Sequence, residues 1–417
     1  MNVFIVNTHS TLNSGDAGIV LGEVQFLKKY FRDVRIALTS RTPEIDRALY
    51  NPMGIDVFPP IIPAPSVFAR GEQRLLRSLS QLSNVSAKRG MLSRIGRSDV
   101  VISNGGGYFW SNRSVLPGPM FFQNYLHLRI ASVLGKPILF FPQSFGPFDN
   151  AAGPRMLKTV LGKNNVIKVL TRERGSFDFL NSLLEQRDEK ARVRMCPDMA
   201  FFLPGEERRM DEGVSIDLPR PRIAVTVREW HFPETKKGKR AERRKAYLSA
   251  CRKVCERVFK ILRGSILIFA QARGPGAFES DVPLSRSLFY GLRQVIPDTH
   301  LSFVELPLVV SPFFIINLLS RVDLIIATRF HSAIFALLSG VPAISIGYQP
   351  KSKGAMELLD LENYCIDIAE VEAGELFGLV EDILGDRDAI SRNILKKVDL
   401  LRGDMEGELQ SCFRSFL

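Results

Sequence analysis

Cysteine, histidine and tryptophan are all scarce in this chain of 417 residues, at five, five and two. The cysteines, at 196, 251, 255, 365 and 412, are odd in number and irregular in spacing, so no disulfide framework is implied. Cys251 and Cys255 stand four apart in a helical pattern and read as two small core residues rather than a metal pair. The histidines are too scattered for a zinc motif, and no metal is expected. Long apolar runs are also missing. The longest, residues 307–319, is too short and interrupted to cross a bilayer. The first residues run straight into the strand-like Asn2-Val3-Phe4-Ile5-Val6 with no basic segment or cleavage site, so a secretory signal is not expected. The expected location is the cytoplasm, at most peripheral to the inner face of a membrane. Acidic residues are outnumbered, 44 against 56, and the net charge of +12 favours anionic partners. No internal repeat or low-complexity tract is present.

What the chain does have is an ordinary globular composition, 45% hydrophobic and 24% charged, and room for two domains. Short β-type runs alternate with helical patterns: strands near residues 3–7, 34–38, 99–103, 137–142 and 166–171, and helices near 16–30, 124–134 and 174–184. Residues 204–221, rich in proline, glycine and charge, break the rhythm. It then restarts, with strands near 222–227, 265–270, 301–304, 322–327 and 343–346 and helices between them. Apolar strands alternating with helices indicate parallel sheets covered on both faces. The expected architecture is α/β, with two Rossmann-like doubly wound domains facing a cleft. The boundaries are 1–205, a linker at 206–221, a second domain at 222–386, and a helical tail at 387–417.

Ligands of such sheets bind beyond the carboxyl ends of the strands, so polar motifs at those ends carry the functional reading. Asn13-Ser14-Gly15-Asp16 opens the first helix; Asp16 reads either as a helix cap or as a carboxylate that moves protons. Ser103-Asn104-Gly105-Gly106-Gly107 reads either as a ligand loop or as a tight turn. In Ala327-Thr328-Arg329-Phe330-His331-Ser332 an apolar strand stops at a polar cluster: arginine grips a carboxylate or phosphate, and histidine carries a proton or adds a donor. Lys351 and Lys353 follow the next strand, and one of the two is expected to face an anion. Arg172, Asp198, Arg228, Gln271 and Arg273 stand at other strand ends. Residues 236–263 hold twelve Lys or Arg and two acids, with Tyr247, Cys251, Val254, Val258 and Leu262 on one face. The basic face reads as a contact for anionic lipid or as a solvated surface. Nucleic acid is not expected, because no nucleic-acid motif accompanies it.

These motifs in this order resemble the polysaccharide pyruvyl transferase family. The matching stretches are 13–16, 103–107, Phe-Pro-Gln-Ser-Phe-Gly at 141–146, Thr171-Arg172-Glu173 with Ser176, Pro197-Asp198, and Thr-Arg-Phe-His-Ser at 328–332 with Gly340-Val341-Pro342. The resemblance implies a GT-B-like fold, phosphoenolpyruvate as donor substrate without a further cofactor, and a saccharide acceptor, lipid-linked or polymeric, in cell-surface glycan biosynthesis. It implies donor-binding and catalytic roles for Arg329 and His331, with Asp16 as the complementary acid or base. Substrate contacts are expected at Lys353, Arg172, Arg228, Gly15, Asn104, Gly105, Gly106, Asp198 and Gln271. Acceptor choice is expected in the amino-terminal domain and its 59–97 segment. Two alternatives stand beside this: a GT-B glycosyltransferase using a nucleotide sugar, and a non-catalytic protein binding membrane or nucleic acid through its basic helix.

Overall fold

A computed structural model describes residues 1–61, 85–113, 115–205, 216–233 and 235–414. Most of the expected linker and much of the 59–97 segment therefore lie outside the described residues. The chain forms two compact units. The first comprises residues 1–11, 16–202 and 403–417, and the second 12–15 and 203–402.

The first unit holds β1 (Asn2–Val6), β2 (Arg35–Thr39), β3 (Asp56–Phe58), β4 (Val100–Ser103), β5 (Gly106–Ser111), β6 (Ile138–Phe148), β7 (Val166–Thr171) and β8 (Val193–Met195). They lie in the order β3-β2-β1-β4-β6-β7-β8, with β5 branching off to pair with β6, and every pairing is parallel. The order reverses between β1 and β4. Helices α1 (Ser14–Tyr30), α2 (Pro43–Tyr50), α3 (Val85–Arg97), α4 (Pro119–Val133), α5 (Ala152–Leu161), α6 (Arg174–Leu183) and α7 (Arg187–Ala191) alternate with them. Strands β1 and β4 are nearly all apolar and buried because both faces are covered. Phe4, Phe109, Phe121, Phe140 and Phe145 build much of one core layer.

The second unit holds β9 (Arg222–Thr226), β10 (Ser265–Phe269), β11 (Leu301–Val304), β12 (Leu324–Ala327), β13 (Ala343–Gly347) and β14 (Cys365–Asp367), in the order β11-β10-β9-β12-β13-β14. This is the dinucleotide-fold order 3-2-1-4-5-6, reversing between β9 and β12. Its helices are α8 (Arg240–Leu262), α9 (Val282–Leu292), α10 (Pro312–Leu319), α11 (Phe330–Leu338), α12 (Pro350–Glu357), α13 (Ala373–Gly385) and α14 (Arg387–Cys412). The basic helix α8 buries Tyr247, Ala250, Cys251, Val254, Cys255 and Val258, so the cysteine pair is core. Burial lifts the Cys251 thiol to about 12. Helix α14 occupies the expected tail, and its last residues belong to the first unit, where Phe413 packs on Phe26 and Phe31. Among the described residues no helix is long and apolar enough to cross a membrane, and no group of three or more His, Cys, Asp or Glu could hold a metal ion.

Candidate functional site

In the second unit, the loops that leave β9, β12 and β13 meet at the point where the sheet order reverses. Tyr247, from the buried face of α8, fixes two of them. Its hydroxyl accepts from the Arg228 N–H at 3.2 Å and bonds Thr328 Oγ1 at 2.9 Å. Arg228 and Arg329 follow these loops. The Arg228 guanidinium lies 4.1 Å from the Tyr348 ring centroid and 5.2 Å from that of Trp230. Lys351, the second residue of α12, stands 5.9 Å from the same Tyr348 ring and 5.6 Å from Phe330. Burial pushes the Tyr348 phenol up, but Arg228, Lys351 and Arg329 outweigh it and bring it down to about 8. Burial also draws Arg228 down, and the like charge of Arg329 adds to this. Among the described residues no carboxylate lies within ion-pair distance of Arg228.

Arg329 is differently placed. Its Nε and Nη2 donate to the buried Asp281 carboxylate at 2.6–3.0 Å, and Nη2 also donates to the Glu279 carbonyl at 2.7 Å. Asp281 in turn accepts from the Ala272 N–H at 3.1 Å. The motif arginine is thus half of a buried ion pair at the start of α9. Gln271 is buried; its side-chain carbonyl accepts from Ser332 Oγ, and its backbone carbonyl from Ser14 Oγ at 3.2 Å. It holds the first turn of α11 and the 12–15 segment in place. His331 is buried against Phe330 and Phe335. Gly15 lies against it: a Cβ there would stand 2.6 Å from His331 Cγ. Lys353 is not brought to this cluster. Its side chain is 69% exposed and 4.0 Å from Glu357. An α12 that begins at Pro350 aims Lys351 toward the rings and Lys353 into solvent.

Helix α1 is capped by Asn13, whose Oδ1 accepts from the Gly15 N–H at 3.1 Å, and not by Asp16, which belongs to the first unit. That leaves the Asp16 carboxylate for side chains. The Tyr108 hydroxyl donates to its Oδ1 at 2.7 Å, and His9 Nδ1 lies 3.2 Å from Oδ2. Arg41 contacts His9 Nε2. The rings of His9 and Tyr108 are parallel, 5.8 Å apart. Burial, then the Asp16 charge and the hydrogen bond to it, hold the Tyr108 phenol well above its usual range, so it stays a donor.

The glycine loop has a packing role in this unit. A Cβ on Gly105 would stand 2.8 Å from Ile19 Cγ2 and 2.9 Å from the Pro142 carbonyl, and Gly106 has φ +117°. Asn104 is fully buried, its amide bonded to the Gly105 carbonyl. The Gly105 N–H donates to Glu23 at 2.8 Å, and burial drives that carboxyl well above its usual range. Gly105 seats the start of β5 on α1 beside the buried Asn104 and Gly106, and Gly107, partly exposed, is where the loop surfaces. Arg172 and Asp198 are partners of one buried ion pair, 2.6 Å apart, and Arg172 Nε donates to Ser144 at 2.8 Å. The sequence reading missed His9, Tyr108, Trp230, Tyr348, Asp281 and Glu23. His9 stands three residues beyond β1 and was open to the strand-end argument; the others are fixed largely by partners remote in sequence.

Several arginines of the basic helix are engaged within its own unit. Arg244 pairs with Glu229 and Arg252 with Glu256, Arg243 donates to the Ala369 carbonyl, and Arg257 lies over Phe377.

Two Rossmann-like units, each gathering polar side chains where its sheet order reverses, define a fold of the GT-B type found among sugar-nucleotide enzymes. The chain belongs to the polysaccharide pyruvyl transferase family, whose model matches residues 13–350. It is 23% identical to the amylovoran biosynthesis protein AmsJ of Erwinia amylovora, over 96% of both chains. In fold it is similar to Anabaena HepE solved with UDP and glucose (TM-score 0.54, 12% identity, 100% of both chains). It is likewise similar to UDP-GlcNAc 2-epimerase from Neisseria meningitidis bound to UDP-GlcNAc (TM-score 0.55, 10% identity, 96% and 98% of the two chains).

Proposed function

We propose that this transferase moves the pyruvyl group of phosphoenolpyruvate onto a saccharide as a cyclic ketal, in exopolysaccharide or other cell-surface glycan biosynthesis. The observation that carries the reading is the Arg228 guanidinium, set 4.1 Å from the Tyr348 ring and 5.2 Å from Trp230 with no carboxylate within ion-pair distance among the described residues, a placement that with Lys351 and Arg329 also draws the Tyr348 phenol down. A place that favours phenolate favours other anions, and phosphoenolpyruvate carries a carboxylate and a phosphate on one carbon. Family membership and the AmsJ likeness support the polysaccharide context.

The chemistry assigns roles to the residues. A sugar hydroxyl attacks the central carbon of phosphoenolpyruvate and gives up its proton to a base, while an acid delivers a proton to the methylene carbon. Phosphate leaves, the second hydroxyl adds to the same carbon with loss of its proton, and the products are the ketal and inorganic phosphate. Asp16 accepts from Tyr108 and faces His9, an arrangement that suits an ionised carboxylate, so Asp16 is the base. His331 is then the acid, and Arg228 with Lys351 holds the anion. General acid–base groups of this kind contribute roughly 10²–10⁴-fold each, and fixed cations at the departing phosphate add to that. Residues 236–263 supply a basic surface for a lipid-linked acceptor at the membrane.

Calorimetric titration with phosphoenolpyruvate, with UDP as comparison, tests the reading on wild type and Arg228→Ala. Arg228 is the informative arginine: Arg329→Ala would strand Asp281 in the interior and confound binding with folding. Phosphoenolpyruvate binding lost in Arg228→Ala supports pyruvyl transfer. UDP binding without phosphoenolpyruvate binding, and no phosphate release with saccharides present, would replace it with a nucleotide-sugar glycosyltransferase.

A further inference from the structure

Strand β5 carries an exposed indole, Trp110, two residues along from Tyr108 of the Asp16 cluster. Along β5, Phe109 and Ser111 turn inward: Phe109 joins the core with Phe121, Phe140 and Phe145, and Ser111 is buried beneath Asn150. Side chains of a strand alternate between faces, and Tyr108 and Trp110 therefore share the other one. Tyr108 spends its hydroxyl on Asp16 and its ring on His9, whereas Trp110 is 42% exposed. Two residues of strand rise, about 6.6 Å, separate them, which is the span of one sugar ring.

The platform is rigid. Asn150 donates to Ser111 Oγ at 3.0 Å and to the Arg113 carbonyl at 2.7 Å, and the Asp149 N–H donates to the Ser111 carbonyl at 2.9 Å. These bonds tie the end of β5 to the turn after β6. An indole held in this way at the surface, with a carboxylate, an imidazole and a phenol beside it, matches a pyranose: an apolar face of C–H groups and a rim of hydroxyls.

We propose that Trp110, together with Tyr108, Asp16 and His9, forms the saccharide subsite of the first unit, one pyranose stacking on the indole while its hydroxyls reach the Asp16–His9 pair. This deepens the pyruvyl-transfer reading, on which it rests for the identity of the sugar as acceptor. The stack supplies position, so Trp110 sets the acceptor KM and the Asp16–His9 pair sets the rate.

The two tryptophans make the test direct, since Trp230 lies in the second unit beside Arg228. In Trp230→Phe, Trp110 is the remaining indole. Methyl β-galactoside and methyl β-glucoside are titrated against its fluorescence, with glycerol as the non-cyclic control. The expected result is a saturable quench or blue shift from at least one glycoside, absent with glycerol and absent in Trp110→Phe, whose remaining indole reports only Trp230. In turnover, Trp110→Ala raises the acceptor KM several-fold to about tenfold, the range of one aromatic stack, with kcat and phosphoenolpyruvate affinity within twofold. A Trp110 signal that does not saturate with either glycoside, or that matches glycerol, overturns the subsite. Failure of phosphoenolpyruvate to perturb Trp230 or to bind by calorimetry, with glycoside quenching of Trp110 intact, instead overturns the donor assignment and leaves the saccharide subsite standing.

Discussion

Gly15→Ala is the smallest change that addresses His331 without removing it. A methyl group at Gly15 would stand 2.6 Å from His331 Cγ and 2.8 Å from its Cβ, and nearer still to Nδ1. Carbon atoms pack at about 3.5 Å or more, so the shortfall is about 0.9 Å at Cγ and about 0.7 Å at Cβ. Turning the ring about χ1 relieves the first clash and not the second, because Cβ lies on the axis. The backbone of the 12–15 segment or of α11 has to move instead. A displacement near 1 Å of a reacting group costs about 10²-fold in rate, which falls inside the 10²–10⁴-fold expected for deleting a general acid outright. Gly15→Ala should therefore lower kcat about 100-fold, while the phosphoenolpyruvate dissociation constant changes less than threefold. The assay is phosphate release under saturating donor and acceptor, in Gly15→Ala, His331→Ala and the double variant. If both act through His331, the double variant is no slower than His331→Ala. Gly15 also precedes Asp16 in sequence, and a loss arising there would multiply with the His331 loss instead. Activity of Gly15→Ala within threefold of wild type would refute the placement of His331 in the chemistry.

Three further outcomes follow from charge and packing. Binding of phosphate or phosphoenolpyruvate should weaken as pH rises through about 8, where the depressed Tyr348 phenol ionises beside the anion site; calorimetry from pH 7 to 9.5 should lose that decline in Tyr348→Phe, and an unchanged decline would exonerate Tyr348. His127 is buried with Nδ1 bonded to Asn7 and Nε2 accepting from the Ile61 N–H, and burial draws it from 6.5 to about 3. Its folded pKa is depressed, so its contribution is present above pH 6.5 and lost as pH falls from there toward 3, by at most about 1.4 kcal/mol per unit; denaturant titrations of His127→Gln between pH 7 and 4 should show a shallower fall than wild type. A Cβ on Gly22 would stand 2.8 Å from the Met199 carbonyl carbon and closer to its oxygen, so Gly22→Ala should cost about 1–3 kcal/mol, read as a lower Tm with phosphoenolpyruvate affinity unchanged in the folded fraction. A Tm equal to wild type would show that this helix-to-carbonyl contact gives way freely.

The parallel sheets were legible because both sides of each are covered. A strand such as Leu324–Ala327 is then apolar at every position, and Val100–Ser103 at all but its last, before polar residues follow; a helix such as Pro312–Leu319 announces itself with proline at its start. Strand β5 was not legible. Its opening Gly106-Gly107 carries the signal of a turn, and only the pairing with β6, across residues remote in sequence, makes it a strand. The same limit applies to the site. Motif chemistry picked out Arg228, Arg329 and His331 just beyond strand ends, and Asp16 at the opening of the first helix. It had no means of weighing Asp281, which is 48 residues from Arg329 and neutralises it, or Tyr348, whose value lies in the cations gathered around its ring.

What an arginine at a strand end does depends on the carboxylates packed against it. Arg172 stands beside two, Asp198 at 2.6 Å and Glu173 at 3.8 Å, and its charge is fully matched within the first unit. The other site residues described there are Asp16, His9 and Tyr108, with Arg41 against His9, and this inventory of hydroxyl partners suits a neutral sugar. In the second unit Arg329 is matched by Asp281, whereas Arg228 lies against the rings of Tyr348 and Trp230 with no carboxylate within ion-pair distance among the described residues, and Lys351 stands near the rings of Tyr348 and Phe330. Aromatic faces hold a cation in place without cancelling its charge, and they lower the local dielectric so that each charge acts more strongly on an incoming anion. The role expected of Arg329 from its motif thus divides in two. Asp281 makes it the fixed post that orders the loop after β12, and Arg228, packed between rings, is left with the charge to bind phosphate or carboxylate.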